Sequence, residues 1–236
     1  MIIDGKKISE KILEKIKKEV KEKKLNLKLA VVLVGNDPSS KIYVRKKEEA
    51  SERVGIDFEL FHFPEDIEGE ELIQEIKNIA DDFSIHGIVV QLPLPKQFDA
   101  NEILNLIPAE KDVEVVSPVV SAIEYILKEY SISLENKKVV VVGKGVLVGI
   151  PVGDWLQKQG ISFSGIENIK EADVIISGTG QKDLITKEMV KEGVIIIDVG
   201  GDVNPEVAEK ASYFTPIIGG IGPITVACLL ENLTKM

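Results

Sequence analysis

The chain has 236 residues, 44% of them hydrophobic, a formal net charge of −10 at neutral pH and a single cysteine. That length allows one large core or two modest ones, and no apolar run approaches the roughly 20 residues that span a bilayer. Cys228 alone excludes an internal disulfide and a multi-cysteine metal site. The acidic balance argues against nucleic acid as a partner. The start lacks the basic-then-apolar layout of a signal peptide, and the single cysteine suits a reducing cytoplasm, which is the compartment expected.

Ile8, Ile12, Ile16 and Val20 recur every four residues among lysines and glutamates and predict a first helix, with Ser9 near its start. Residues 27–34 are a nearly continuous apolar run ending at Gly35, the pattern of a strand buried on both faces of a parallel sheet. After the polar turn Asn36-Asp37-Pro38-Ser39-Ser40 the pattern predicts a helix from about 41 to 54. A strand at 58–63, a helix at 70–82, a strand at 86–92 and a short helix at 101–106 follow, before the break at Pro108. Beyond a helix at 121–130 the composition changes. Residues 138–143, 174–177 and 194–199 read as buried strands that run into glycine, and a last helix is expected at about 222–233. Strands alternating with helices imply parallel sheets in both halves. The fold class is therefore α/β with two domains, and the boundary is placed between 115 and 135.

Four segments carry the chemistry. The first is Gly143-Lys144-Gly145-Val146-Leu147-Val148-Gly149, directly after a strand. Glycines there let backbone approach a pyrophosphate, and the next helix offers its first amides to the anion. The spacing G-x-G-x-x-x-G is one residue off the usual fingerprint. An NAD site usually carries an acid about 20 residues past the first glycine. Residues 160–164 hold none, Glu167 is the first carboxylate after them, and Lys144 supplies a cation instead. That balance favours a 2′-phosphate, hence NADP. The second segment is Tyr43-Val44-Arg45-Lys46-Lys47, where Tyr43 and Lys47 share one helix face. Such a pair is either a solvated lysine beside a half-buried tyrosine or a site in which the ring stacks on a planar ligand and the amine moves protons.

The third segment, Gly87-Ile88-Val89-Val90-Gln91-Leu92-Pro93-Leu94-Pro95, puts a glutamine at the end of an apolar strand, either a ligand contact of the kind α/β sheets hold there or a strand end meeting solvent. The fourth, from Thr215 through Gly219-Gly220-Ile221-Gly222-Pro223 to Thr225, is a rigid, side-chain-poor loop before a helix. His62 and His86 have no partners at metal-ligand spacing, no metal is expected, and Cys228 reads as core.

In this order the four segments resemble the bifunctional methylenetetrahydrofolate dehydrogenase/cyclohydrolase family, over nearly the whole chain. The resemblance implies an N-terminal α/β folate domain (1–120), a Rossmann-like NADP domain (121–221) and a cleft between them, with the helix at 222–236 packing back on the first domain. It implies oxidation of 5,10-methylenetetrahydrofolate with NADP, then hydrolysis to 10-formyltetrahydrofolate, in a homodimer that binds neither nucleic acid nor membrane. Lys47 matches the catalytic lysine, Tyr43 the ring-stacking tyrosine and Gln91 the residue that tunes the lysine. Val90, Leu92, Glu114, Gly219, Gly220 and Pro223 would contact the folate, and Gly143, Lys144, Gly145, Gly149 and Thr225 the cofactor. A monofunctional dehydrogenase and a non-catalytic nucleotide-binding protein are the alternatives.

Several positions depart from the family. Its Lys-Asp-Val-Asp-Gly is Lys111-Asp112-Val113-Glu114-Val115 here, its Gly-Arg-Ser is Gly143-Lys144-Gly145, and its proline before Gly219 is Ile218. Stretches usual in the family are missing at 114/115, 164/165 and 200/201.

Overall fold

The helix expected from the isoleucine repeat forms as α1 (Gly5–Lys23), with Ile8, Ile12, Ile16 and Val20 all buried and the lysines on the solvent side. The remaining elements in chain order are β1 (Lys28–Val34), α2 (Pro38–Val54), β2 (Asp57–Phe63), α3 (Gly69–Asp81), β3 (Gly87–Val90), α4 (Ala100–Leu104), α5 (Pro118–Glu129), β4 (Val139–Val142), α6 (Gly149–Lys158), β5 (Phe163–Ser164), β6 (Val174–Ser177), β7 (Ile195–Asp198), β8 (Tyr213–Phe214) and α7 (Ile221–Leu233). The computed structural model describes all 236 residues. They divide into two units, one of residues 11–116 with 229–236, the other of 1–10 with 117–228.

The first of these units holds a parallel sheet in the order β2-β1-β3, with Val32 facing Phe61 on one side and Val90 on the other. Every residue of β1 after Lys28 is buried, as its unbroken apolar run requires. Leu72, Ile76 and Ile79 of α3 cover one face of this sheet, packed with Ala30, Val32, Ile88 and Val90. Helix α2 starts three residues earlier than its periodicity suggests because Asp37 caps it. An Asp37 carboxylate oxygen accepts from Ser40 N (2.7 Å) and Ser39 Oγ (2.6 Å), and Pro38 occupies the first turn. Strand β3 is shorter than expected. Gln91 N still donates to Val32 O (2.8 Å), but Pro93 lacks the amide a longer ladder would need.

The other unit holds a five-stranded parallel sheet in the order β5-β4-β6-β7-β8. Counted within the unit this is 2-1-3-4-5, a doubly wound arrangement whose direction reverses between β4 and β6. Its core joins Val140, Val142, Ile175 and Ile196 to Ile169, Ile185 and Val207 on one face. Strands β5 and β8 have two residues each, too few to leave a pattern in sequence. Beyond β8, an isolated bridge pairs Ile2 with Phe214.

Tight turns close the three positions where family segments are missing. Val115 N donates to Asp112 O (3.3 Å). Gly165 links β5 to a 3-10 turn at Ile166–Glu171. At the third, the Asp198 carboxylate accepts from the amides of Gly201, Asp202 and Val203 at 2.9, 3.0 and 3.1 Å.

Candidate active site

In the β2-β1-β3 unit the expected folate residues gather at the C-terminal ends of β1 and β3. Lys47 lies on the inner face of α2 and is only 7% exposed; Gln91, at the end of β3, is 9% exposed. Lys47 Nζ donates to Gln91 Oε1 at 2.7 Å. Gln91 Nε2 in turn donates to Leu92 O at 2.7 Å. The amide is thus held by both ends, its oxygen toward the lysine and its nitrogen toward the main chain. The bland reading of Lys47 as a solvated surface lysine is therefore excluded.

Burial pulls the Lys47 ammonium below its ordinary pKa, and the nearby Glu114 carboxylate partly offsets this. Glu114 shows the converse. Desolvation raises its carboxyl above the usual range, Lys47 opposes the rise and Asp112 adds to it. Glu114 N donates to Asp112 Oδ1 at 2.8 Å, and an Ile88–Asp112 bridge ties this segment to β3. Asn232 near the end of α7 anchors the same segment, its Nδ2 donating to Val113 O (2.9 Å) and Val116 O (2.7 Å).

Tyr43 stands one turn before Lys47 and is 40% exposed, with Lys46 Nζ 5.3 Å from its ring centroid. Leu92 is half-buried, whereas Val90 is buried in the core. A cavity of about 350 Å³ opens at this end of the sheet, lined by Gly35, Asn36, Asp37, Glu65, Pro93 and Leu94 among others. None of Tyr43, Lys47, Gln91 and Glu114 is among the residues that line it. The peptide bond between Leu92 and Pro93 is cis. His62 Nε2 is 2.7 Å from Gly35 O, and His86 Nδ1 accepts from Lys28 N at 3.2 Å, so both histidines are held by main chain.

In the five-stranded unit, Gly143, Lys144, Gly145 and Gly149 form the turn from β4 to α6, at the reversal point. A Cβ on Gly149 would lie 2.3 Å from Gly143 O, so α6 begins hard against the end of β4. Gly143 itself has φ +117 and sits against Gly178 at the end of β6. The backbone here suits a phosphate-bearing ligand. A Cβ on Gly145 would meet no atom within 4 Å, leaving open space, and the N-cap of α6, Val148, offers no side-chain acceptor to the first amides. Lys144 is exposed beside them.

Gly219 and Gly220 lie in the turn before α7. A Cβ on Gly220 would be 2.1 Å from Pro216 O, and Gly5 N donates to Gly219 O at 2.8 Å, so this loop is packed against the start of α1. Pro223 is half-buried, and the Thr225 hydroxyl donates to Gly222 O at 2.8 Å. Sequence reasoning missed Asp202, which is fully buried near the end of β6. One of its oxygens accepts from Ser177 Oγ and from Thr179 N (2.7 Å). The other accepts from Thr179 Oγ1 (2.9 Å) and Gln181 N (2.9 Å). Nothing in the sequence signals it, because a lone Asp after Gly-Gly reads as a turn residue.

A doubly wound unit with a glycine turn at its reversal point, and an α/β unit with a buried lysine–amide pair, define a two-domain nucleotide-dependent enzyme. Residues 3–114 match the family model described as tetrahydrofolate dehydrogenase/cyclohydrolase, catalytic domain, and residues 117–236 match its NAD(P)-binding domain. The chain belongs to the tetrahydrofolate dehydrogenase/cyclohydrolase family.

Among curated proteins it is similar to the bifunctional protein FolD of Nautilia profundicola, 41% identical over 275 residues and covering 99% of this chain and 96% of that one. The aligned span is longer than the 236 residues of this chain, so the relative carries residues with no counterpart in this sequence. Among solved structures it is similar to the bifunctional FolD dehydrogenase/cyclohydrolase of Campylobacter jejuni, 37% identical with TM-score 0.90, covering 100% and 97% of the two chains. It is also similar to the Trypanosoma brucei enzyme complexed with NADP and an inhibitor, 28% identical with TM-score 0.92, covering 99% and 95%.

Proposed function

We propose that this chain oxidises 5,10-methylenetetrahydrofolate to the methenyl form with NADP and hydrolyses that product to 10-formyltetrahydrofolate, with Lys47 handling the protons. The observation that carries the assignment of roles is the buried Lys47–Gln91 hydrogen bond of 2.7 Å. When bound, NADP supplies the hydride acceptor, and the oxidation needs no protein acid. Positioning of the folate is then the protein's main task in that step. Tyr43 offers an exposed ring for the planar pterin, and Glu114 a half-buried carboxyl for its polar edge.

Hydrolysis adds water to the carbon of the cationic methenyl group, and that oxygen loses both its protons in becoming the formyl oxygen: one ends on the ring nitrogen whose bond to carbon breaks and the other is released to solvent. Burial favours the neutral amine of Lys47, which takes the first proton, and its ammonium returns a proton to the departing nitrogen. Gln91 Oε1 aims the amine, and Leu92 O keeps the amide from turning its nitrogen to the lysine. At the β4–α6 turn the amides of Gly145 and Gly149 take the pyrophosphate, and Lys144 takes the 2′-phosphate.

The chain has no helix long and apolar enough to cross a membrane, and its one cysteine is free. We read it as a cytoplasmic homodimer whose formylated product serves purine biosynthesis. Following the methenyl absorbance while the protein turns over methylenetetrahydrofolate and NADP tests the reading. Its rise and decay are expected; a stable plateau would leave only the dehydrogenase, and no change would leave neither activity.

A further inference from the structure

The tip of β5 holds a carboxylate that a residue count along the chain passes over. Strand β5 has only two residues, paired in parallel with β4 through Val139–Phe163 and Val140–Ser164. The chain turns at Gly165, and Glu167 folds back so that its Oε1 accepts from Gly165 N at 3.0 Å. Its Oε2 would lie 2.5 Å from a Cβ on residue 165, so a side chain there would push the Glu167 carboxylate out of this position. Glu167 is 24 residues past Gly143, beyond the usual spacing, yet the short strand and this turn bring its carboxylate back to the strand end.

In a doubly wound sheet the dinucleotide runs from the pyrophosphate at the first strand to its adenosine at the second, so the adenosine ribose lies over the tip of the second strand. Here the first strand is β4 and the second is β5. A ribose with a free 2′-hydroxyl presents donors to a carboxylate, which only accepts; a 2′-phosphate presents negative charge, which it repels. Glu167 and Lys144 are both exposed, and neither is tied up in an ion pair with another side chain. The strand tip and the glycine turn thus offer both signs of charge to the same part of the ligand.

We propose that Glu167 is a specificity-determining residue that receives the adenosine ribose hydroxyls, so that the site takes NAD alongside NADP. This rests on the reading of the β4–α6 turn as the dinucleotide site. Glu167→Gln keeps an oxygen for Gly165 N and removes only the charge, so the fold should be untouched.

Calorimetric titration of the folded protein with NAD and with NADP, without folate, gives the test. The parent is expected to bind the two within about tenfold of each other. Glu167→Gln should tighten NADP about tenfold and weaken NAD about threefold to fivefold. A ratio that moves less than twofold in Glu167→Gln, or a parent that binds NADP but not NAD, overturns the role of Glu167 and leaves the dinucleotide site standing. If neither cofactor binds the parent, the dinucleotide site itself is refuted. Glu167→Ala, which also removes the oxygen facing Gly165, should shift the ratio the same way; a shift in Glu167→Ala alone would mark a purely structural effect of the turn and refute the charge reading.

Discussion

Lys47 Nζ and Gln91 Oε1 meet at 2.7 Å in a buried setting, which ties the middle of α2 to the end of β3. Lys47→Met keeps the apolar stem and removes the exchangeable proton. Methenyltetrahydrofolate hydrolysis should fall by on the order of 10² or more, measured by decay of the methenyl absorbance. Hydrolysis at the parental rate would exclude Lys47 as the proton carrier.

The same substitution should change stability in a pH-dependent way. The folded pKa of Lys47 is lowered, so between that value and the unfolded value of about 10.4 the unfolded chain holds more protons than the folded one. Stability from this group therefore rises with pH through that window, and below it the buried charge is a cost. Lys47→Met should be more stable than the parent near neutral pH, with the two converging as pH climbs toward 10. Urea midpoints across the range measure this. A gap that widens with pH would contradict the burial argument.

The regular elements were legible because their signals are local. The four-residue repeat of α1, the apolar run of β1 and the strands that run into glycine each depend on a dozen residues or fewer. Lys47, Gln91 and the glycine turn were legible as a set through the family resemblance of the four segments, since Lys47 by itself reads equally as a solvated lysine. The depth of Lys47 was less so: it shares the buried face of α2 with Val44, Ala50, Ser51 and Val54, and only the fold shows Gln91 at the end of β3 set against it. Glu167, Asp202 and the two-residue strands were hidden for a different reason. Their roles depend on turns that bring back residues several positions apart, which no periodicity encodes.

Lys144 should discriminate between cofactors. Its contact with a 2′-phosphate would be charge-assisted and contribute roughly 1.5–3 kcal/mol. Lys144→Ala should weaken NADP about tenfold or more while NAD changes little, as read by direct binding. Equal losses for both would place the lysine on the shared pyrophosphate.

Asn232 should matter to stability. Its Nδ2 serves two carbonyls, Val113 O and Val116 O, and the side chain is buried. Asn232→Ala strands both acceptors, at about 2–4 kcal/mol in total. Glu114 belongs to the segment they anchor, so folate affinity should weaken along with the urea midpoint. Loss of stability with unaltered folate binding would mean that the segment holds its place without the tether.

Asp202 gives the sharpest contrast between charge and shape. Its two oxygens accept from the Ser177 and Thr179 hydroxyls and the amides of Thr179 and Gln181, and the Asp202 side chain itself is fully buried. Asp202→Ala leaves the buried Ser177 hydroxyl without its acceptor and removes the bonds to Thr179, while Gln181 N keeps a bond to Thr179 Oγ1, and about 2–4 kcal/mol of stability should be lost. Asp202→Asn keeps the volume but turns one acceptor oxygen into an amide NH2 that faces donors, so it should cost less yet still be plainly destabilising. The bonds also fix the turn after β6, where a Cβ on Gly143 would lie 2.9 Å from Gly178 O and 3.3 Å from Thr179 Cγ2. Loosening that turn should disturb the glycine loop it packs against and weaken NADP several-fold in the Asn variant, measured below its melting temperature. An Asn variant with parental stability would show that the hydroxyls and amides find other partners, and the carboxylate would then have no structural role of its own.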